Sequence, residues 1–205
     1  MPPSEYDPLF ASSSDPSGQE GLDEVRARFE EASRPYLRGP WSWIAWAVLL
    51  PAAALATTTV HKSFGYAGSL ILWSVAVLAG GAVEGAVIFS SGRPTAQGQG
   101  GLSRWVFRVQ GNTSLIAAAL SALLLTSGLA WALPALWLLL LGHSFYAVGG
   151  LSLGAFRPYG LLYQGGGLVA LWPSGYSLEV FALTTFVANL WMAWAVARYL
   201  RSHGG

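Results

Sequence analysis

Residues 133–173, LPALWLLLLGHSFYAVGGLSLGAFRPYGLLYQGGGLVALWP, constrain this chain more than any other stretch. Two apolar runs meet at Gly154-Ala155-Phe156-Arg157-Pro158, and each carries one internal polar side chain, His143 in the first and Gln164 in the second. Runs of this length and apolarity suit a bilayer, where backbone polar groups must be satisfied within a helix or a closed barrel. The pattern predicts a helical hairpin in lipid with polar groups inside it.

The rest of the chain agrees with that setting. Of the residues, 53% are hydrophobic and only 10% charged, and the mean hydropathy of +0.46 lies above that of ordinary soluble domains. The net charge of +1 conceals a segregation, since all carboxylates except Glu84 and Glu179 precede residue 40. An acidic N-terminal tail thus precedes a basic body. Cysteine is absent, so disulfides, thiolate metal sites and cysteine nucleophiles are excluded and the redox compartment stays open.

Residues 1–20 are rich in Ser, Pro, Asp and Gly and have little to bury, which predicts an acidic tail that is disordered unless a partner orders it. Residues 21–34 then place Leu22, Val25 and Phe29 at helical spacing, with Glu24 and Arg28 as an i,i+4 pair. The expectation is a short cytoplasmic amphipathic helix whose apolar face rests on the membrane or docks a partner through Leu22, Val25 and Phe29.

Six apolar segments follow, at 41–60, 66–90, 109–130, 133–151, 158–172 and 178–199. Read against the roughly 20 residues needed to cross a bilayer, they predict an all-α, polytopic membrane protein with six transmembrane helices. Residues 90–104, SSGRPTAQGQGGLSR, read as a flexible loop. With the N-terminus inside, all the arginines (26, 28, 34, 38, 93, 104, 108, 157, 198 and 201) fall on the cytoplasmic side and only Lys62 opposite. That asymmetry predicts an N-in/C-in arrangement. The sequence PAAALATTT resembles a signal-peptidase site, but the long charged region ahead of it favours an uncleaved anchor.

Polar groups within the segments need a reason to be there, because a charge at mid-helix costs roughly 2.5 kcal/mol or more. Counting about 1.5 Å per residue from the cytoplasmic ends puts Glu84 about 9 Å deep, Asn112 and Gln164 about 10 Å, His143 and Tyr146 about 8 to 13 Å, and Asn189 about 15 Å. Their common half of the membrane makes Glu84, Asn112, His143, Tyr146, Gln164 and Asn189 a candidate polar cluster. Glu84 has two readings: an ion pair with Arg93, Arg104 or Arg108 reaching up from the adjacent loop, or a proton or cation site. His143 is either a neutral interhelical hydrogen bonder or a titrating group. For Asn112, Gln164 and Asn189 the expectation is interhelical hydrogen bonds.

Gly81 with Gly85, Gly150 with Gly154 and the run Gly165-Gly166-Gly167 read as close-packing positions, the last alternatively as an unwound stretch lining a cavity. No HExxH, GxSxG, phosphate loop or convincing triad occurs. No metal set is evident, and His61 and His143 lie at different depths, which argues against bis-histidine haem; the cofactor complement is otherwise unknown.

Two stretches, LDEVRARFEEASRPYLRGPWSWIAWAVLLPAAALA and LPALWLLLLGHSFYAVGGLSLGAFRP, give the chain a resemblance to uncharacterised bacterial inner-membrane proteins with about six spans. The resemblance implies a bacterial cytoplasmic membrane. The missing catalytic motifs and the polar-poor, tryptophan-rich faces lead to the expectation of a non-catalytic accessory or interaction subunit of a larger membrane assembly, whose partners are membrane lipid and other membrane protein subunits, not nucleic acid. The alternative is a small transporter or proton-coupled membrane sensor using Glu84 and His143.

Overall fold

The computed structural model describes residues 39–90, 101–149, 155–172 and 175–203. The acidic tail, the 21–34 helix with Leu22, Val25 and Phe29, and Arg93 lie outside them, as do Gly150 and Gly154. Among the described residues the fold is all-helical: α1 (Trp41–Ser90), α2 (Gly101–Thr126), a 3₁₀ turn (Ala130–Ala132), α3 (Leu133–Gly149), α4 (Phe156–Ala170) and α5 (Ser177–His203). Three helical stretches are long and apolar enough to cross a membrane, Trp41–Val87, Ala130–Gly149 and Ser177–Ser202, and Gly111–Thr126 is a shorter apolar helix.

The segments expected at 41–60 and 66–90 form one continuous helical element, α1, interrupted at Gly65, whose φ of 64° and ψ of −156° are not helical. There the chain folds back on itself. Trp46 hydrogen-bonds Glu84, Trp73 hydrogen-bonds Thr57 and His61 approaches Ser69, so partners move apart evenly on either side of the break. Only an antiparallel pair of arms gives that pattern.

The α2–α3 connection shows why a helix stops where it does. Gly128 has a φ of +74°, Leu129 N–H reaches Leu124 O at 2.8 Å and Gly128 N–H reaches Leu125 O at 3.2 Å. This is a Schellman closure, with glycine in the left-handed position that a Cβ disfavours. It ends α2 at Thr126 rather than at residue 130 as the hydropathy suggests. At its other end α2 begins at Gly101, so the last four residues of the expected loop 90–104 are helical. The arginines there exclude these turns from an apolar count without preventing them from being helical.

Both hairpins are fastened alike. In α1, Trp73 Nε1–H donates to Thr57 Oγ1 at 3.1 Å, and that hydroxyl donates to Ala53 O at 2.7 Å. Between α2 and α3, Trp137 Nε1–H donates to Ser121 Oγ at 3.1 Å, which donates to Ala117 O at 2.7 Å. In each case the tryptophan lies 16 residues after the hydroxyl.

Antiparallel packing continues through α4 and α5. A Cβ on Gly142 would lie 2.7 Å from Gly160 O, and one on Gly160 would lie 2.5 Å from Tyr146 N. Backbone meets backbone here, so only glycine allows the approach. Helix α4 runs unbroken through Gly165-Gly166-Gly167, which removes the unwound-stretch reading. Gly166 lies against Thr184 and Gly167 against Leu139, whereas Gly165 faces open space. Pro158 occupies the first turn of α4, where its missing N–H costs no helical bond.

The core lies where α1, α3, α4 and α5 converge, around Trp43, Leu138, Phe156, Tyr159, Tyr163, Met192 and Val196. Trp43 meets Phe145, Phe156 and Tyr159 at centroid distances of 6.4, 6.0 and 5.5 Å. At the opposite end Trp73 packs edge-on against Phe181 at 5.6 Å. These contacts put the turns at Gly65, Gly128 and Gly175 at one end of the bundle and the start of α1, the end of α3 and the start of α4 at the other. Exposed apolar side chains such as Leu70, Leu115, Leu168 and Leu183 cover the outside, the arrangement expected of a surface solvated by lipid.

Candidate functional site

The six polar residues singled out in the sequence are distributed over several places. Asn189 is the buried one. It lies on α5 facing Tyr159 and Tyr163, one helical turn apart on α4, and all three are at most 2% exposed. Tyr159 O–H donates to Asn189 Oδ1 at 2.8 Å, and Asn189 Nδ2–H donates to Tyr163 Oη at 2.9 Å and to Thr185 O at 2.7 Å. The Thr185 carbonyl can only accept, which fixes the orientation of the amide. The two phenol oxygens are 3.2 Å apart. Since the single Tyr159 proton serves the shorter contact, the Tyr163 proton closes the remaining gap.

The result is a ring of three hydrogen bonds in which every hydroxyl and amide hydrogen has an acceptor. Such closed networks in an apolar interior are self-supporting and leave no donor for a ligand. Its chemistry is structural: it fixes α4 against α5.

Glu84 is placed differently. It sits on the return arm of α1, half-buried, and accepts from Trp46 Nε1–H at 3.3 Å. The indole can reach it because its six-membered ring lies against Gly80, one turn earlier, where a Cβ would come within 2.4 Å of the ring. The expected ion pair is not formed with Arg108, which is exposed on α2, while Arg93 lies outside the described residues and nothing is described of the Arg104 side chain. Among the described residues, one long hydrogen bond leaves most of the carboxylate's acceptor capacity unused.

The other four do not join either group. Asn112 is exposed on α2 and makes no hydrogen bond among the described residues. His143 and Tyr146 point outward from α3. Gln164 packs its Cγ against the Gly142 backbone at the α3–α4 crossing. Equal depth therefore did not translate into proximity, because helix rotation separates side chains that lie at one level.

Sequence reasoning missed Tyr159 and Tyr163. Their i,i+4 spacing on a glycine-rich helix was the available signal, since glycines on one side of α4 imply a close neighbour and buried phenols require partners. Ser144, 2% exposed, was also missed, and its Oγ is the one buried side-chain polar atom without a hydrogen bond among the described residues.

Among the described residues no three His, Cys, Asp or Glu side chains gather in a way that could hold a metal ion. His61 lies beside the Gly65 turn, stacked edge-on against Tyr66 at 4.6 Å, whereas His143 is in α3. No family model, curated protein or solved structure matches the chain.

Proposed function

We propose that this chain is a six-span protein of a bacterial cytoplasmic membrane, with both termini inside, and that it acts without catalysis as an accessory or interaction subunit of a larger membrane assembly. The six-span count is supported by the reversal at Gly65, which divides the first long apolar stretch into arms of about 24 residues, each about 36 Å long. The glycine turns gather at one end, where Lys62 also lies, while Arg108, Arg157, Arg198 and Arg201 lie towards the other. The cytoplasmic assignment of that end rests on the arginine asymmetry, and the bacterial setting on the resemblance.

The observation that carries the subunit reading is Asn112. A carboxamide facing outward from an apolar helix is poorly solvated by lipid, and interhelical bonds to such groups contribute about 0.6 to 2 kcal/mol. On another exposed face of the same helix Ser114, Ala118 and Ala122 recur at four-residue spacing, a shape into which a foreign helix fits closely. Other membrane subunits are accordingly the proposed partners, beside lipid.

The absence of cysteine from the sequence makes site-directed cross-linking clean. A photo-cross-linking residue at position 112 in native membranes is expected to capture a different polypeptide, while one at Leu183, 66% exposed on α5, captures lipid. Lipid adducts alone at 112, or a homo-oligomer alone, would sink the subunit reading.

A second reading, a proton-coupled transporter or sensor, draws support from the sparsely bonded Glu84. Under it, Glu84→Gln or His143→Ala abolishes a pH-dependent activity in a protein of unchanged thermal stability. Under the subunit reading those variants leave assembly intact.

A further inference from the structure

The last turns of α5 carry a feature that neither reading uses. Trp194, Arg198, Arg201 and Ser202 border an open hollow at the C-terminal end of this helix. The Arg198 guanidinium lies over the Trp194 ring at 5.5 Å, and Arg201 Nε–H donates to Ala197 O at 3.3 Å. Ser202 Oγ–H is directed to the Tyr199 and Arg198 carbonyls at 2.9 and 3.3 Å. Both guanidinium groups are thus held on one side of the helix, with the Arg201 Nε–H taken up by the backbone.

Two adjacent fixed cations call for an anion, and the described residues supply none here. Beyond residue 40 the side-chain carboxylates are Glu84 and Glu179 only. Glu84 is bonded to Trp46, and Glu179 stands at the other end of α5, about 28 Å from Arg198 along the helix. Attraction to the helix C-terminus accounts for basic residues in this turn, but not for a tryptophan holding one guanidinium beside a second.

We infer that this hollow holds the phosphate of an anionic phospholipid. The location argues for lipid: α5 is among the helices long and apolar enough to cross a membrane, and a tryptophan with arginines at the end of such a helix sits at headgroup level. Arginine grips phosphate through two parallel N–H bonds, which the paired guanidiniums are placed to make. The inference needs only that α5 crosses a membrane, and its failure would leave the cross-linking result at residue 112 untouched.

The test titrates phosphatidylglycerol, phosphatidylcholine and inorganic phosphate onto the delipidated full-length chain in detergent, with bound species counted by native mass spectrometry. Phosphatidylglycerol is expected to bind in preference to phosphatidylcholine. R198Q/R201Q is expected to weaken phosphatidylglycerol binding by about tenfold or more, from roughly fivefold per basic residue at an anionic surface. R108Q, which removes an exposed arginine elsewhere, should change it by less than about twofold. Equal losses in both variants, or none, would overturn the inference, as would displacement of the lipid by equimolar inorganic phosphate, which would mark a free-anion site. Should the glutamine pair fail to fold, R198K/R201K is expected to bind several-fold more weakly, since ammonium groups lack the paired donors; wild-type affinity in that variant overturns the inference equally.

Discussion

Asn189 and Glu84 are both strongly polar side chains on apolar helices, and the structure treats them in opposite ways. Asn189 has every amide hydrogen satisfied, one within a closed ring with two buried phenols of α4 and the other by the Thr185 carbonyl of its own helix. Glu84 has one long bond from an indole on the neighbouring arm. The first arrangement locks two helices together and offers nothing to a newcomer. The second, among the described residues, leaves acceptor capacity free at a half-buried position. An apolar interior suits the first because it is complete, whereas the second leaves carboxylate acceptor capacity unused among the described residues.

The difference can be broken by mutation. The largest effect is expected from Asn189→Leu, which removes three hydrogen bonds and leaves two buried phenols without their amide partner; a loss of about 3 kcal/mol should be visible as a lower midpoint of detergent-induced unfolding. Gly80→Val should come next, at about 2 kcal/mol, because the added side chain meets the Trp46 ring and separates the indole from Glu84; an unchanged midpoint would mean that the indole has room to move. Tyr159→Phe and Tyr163→Phe should each cost about 1 kcal/mol. Combined with Asn189→Leu, either should fall short of additivity by about 0.5 kcal/mol or more. Strict additivity in that cycle would show that the three groups do not act as a ring. The smallest effect belongs to Glu84→Gln, expected to stay within about 0.5 kcal/mol because the amide oxygen still accepts from Trp46. A loss well beyond this would reveal a further partner for the carboxylate and erase the contrast.

Much of the architecture was legible in the residue pattern. Helical apolar runs, the turn between the first two at residues 61–65 and the hairpin character of residues 133–173 follow from hydropathy and from glycine and proline punctuation. Helix ends were less legible, as at α2, where arginines conceal two helical turns at one end and a glycine closure ends the helix early at the other. Least legible was which side of each helix faces in. In a water-soluble helix the polar face reports that rotation, but α4 and α5 are apolar nearly all round. Depth could be counted while azimuth could not, and a proposed cluster of six separated into a buried Asn189, a peripheral Glu84 and four residues on other faces. The best azimuthal signal lay in the small residues: Gly142 and Gly160 mark the α3–α4 contact more surely than His143 or Gln164 beside them.

The repeated bridge from tryptophan to hydroxyl to alanine carbonyl bears on how such a chain is made. Each bridge joins two arms that are consecutive in the sequence and needs nothing from helices synthesised later. The first fastening is complete once Trp73 has emerged and the second once Trp137 has, whereas the Asn189 ring waits for the last helix. The contacts thus differ in how much of the chain each requires. Each of the two hairpin fastenings can form from residues already made, whereas the ring between α4 and α5 can form only once α5 is present.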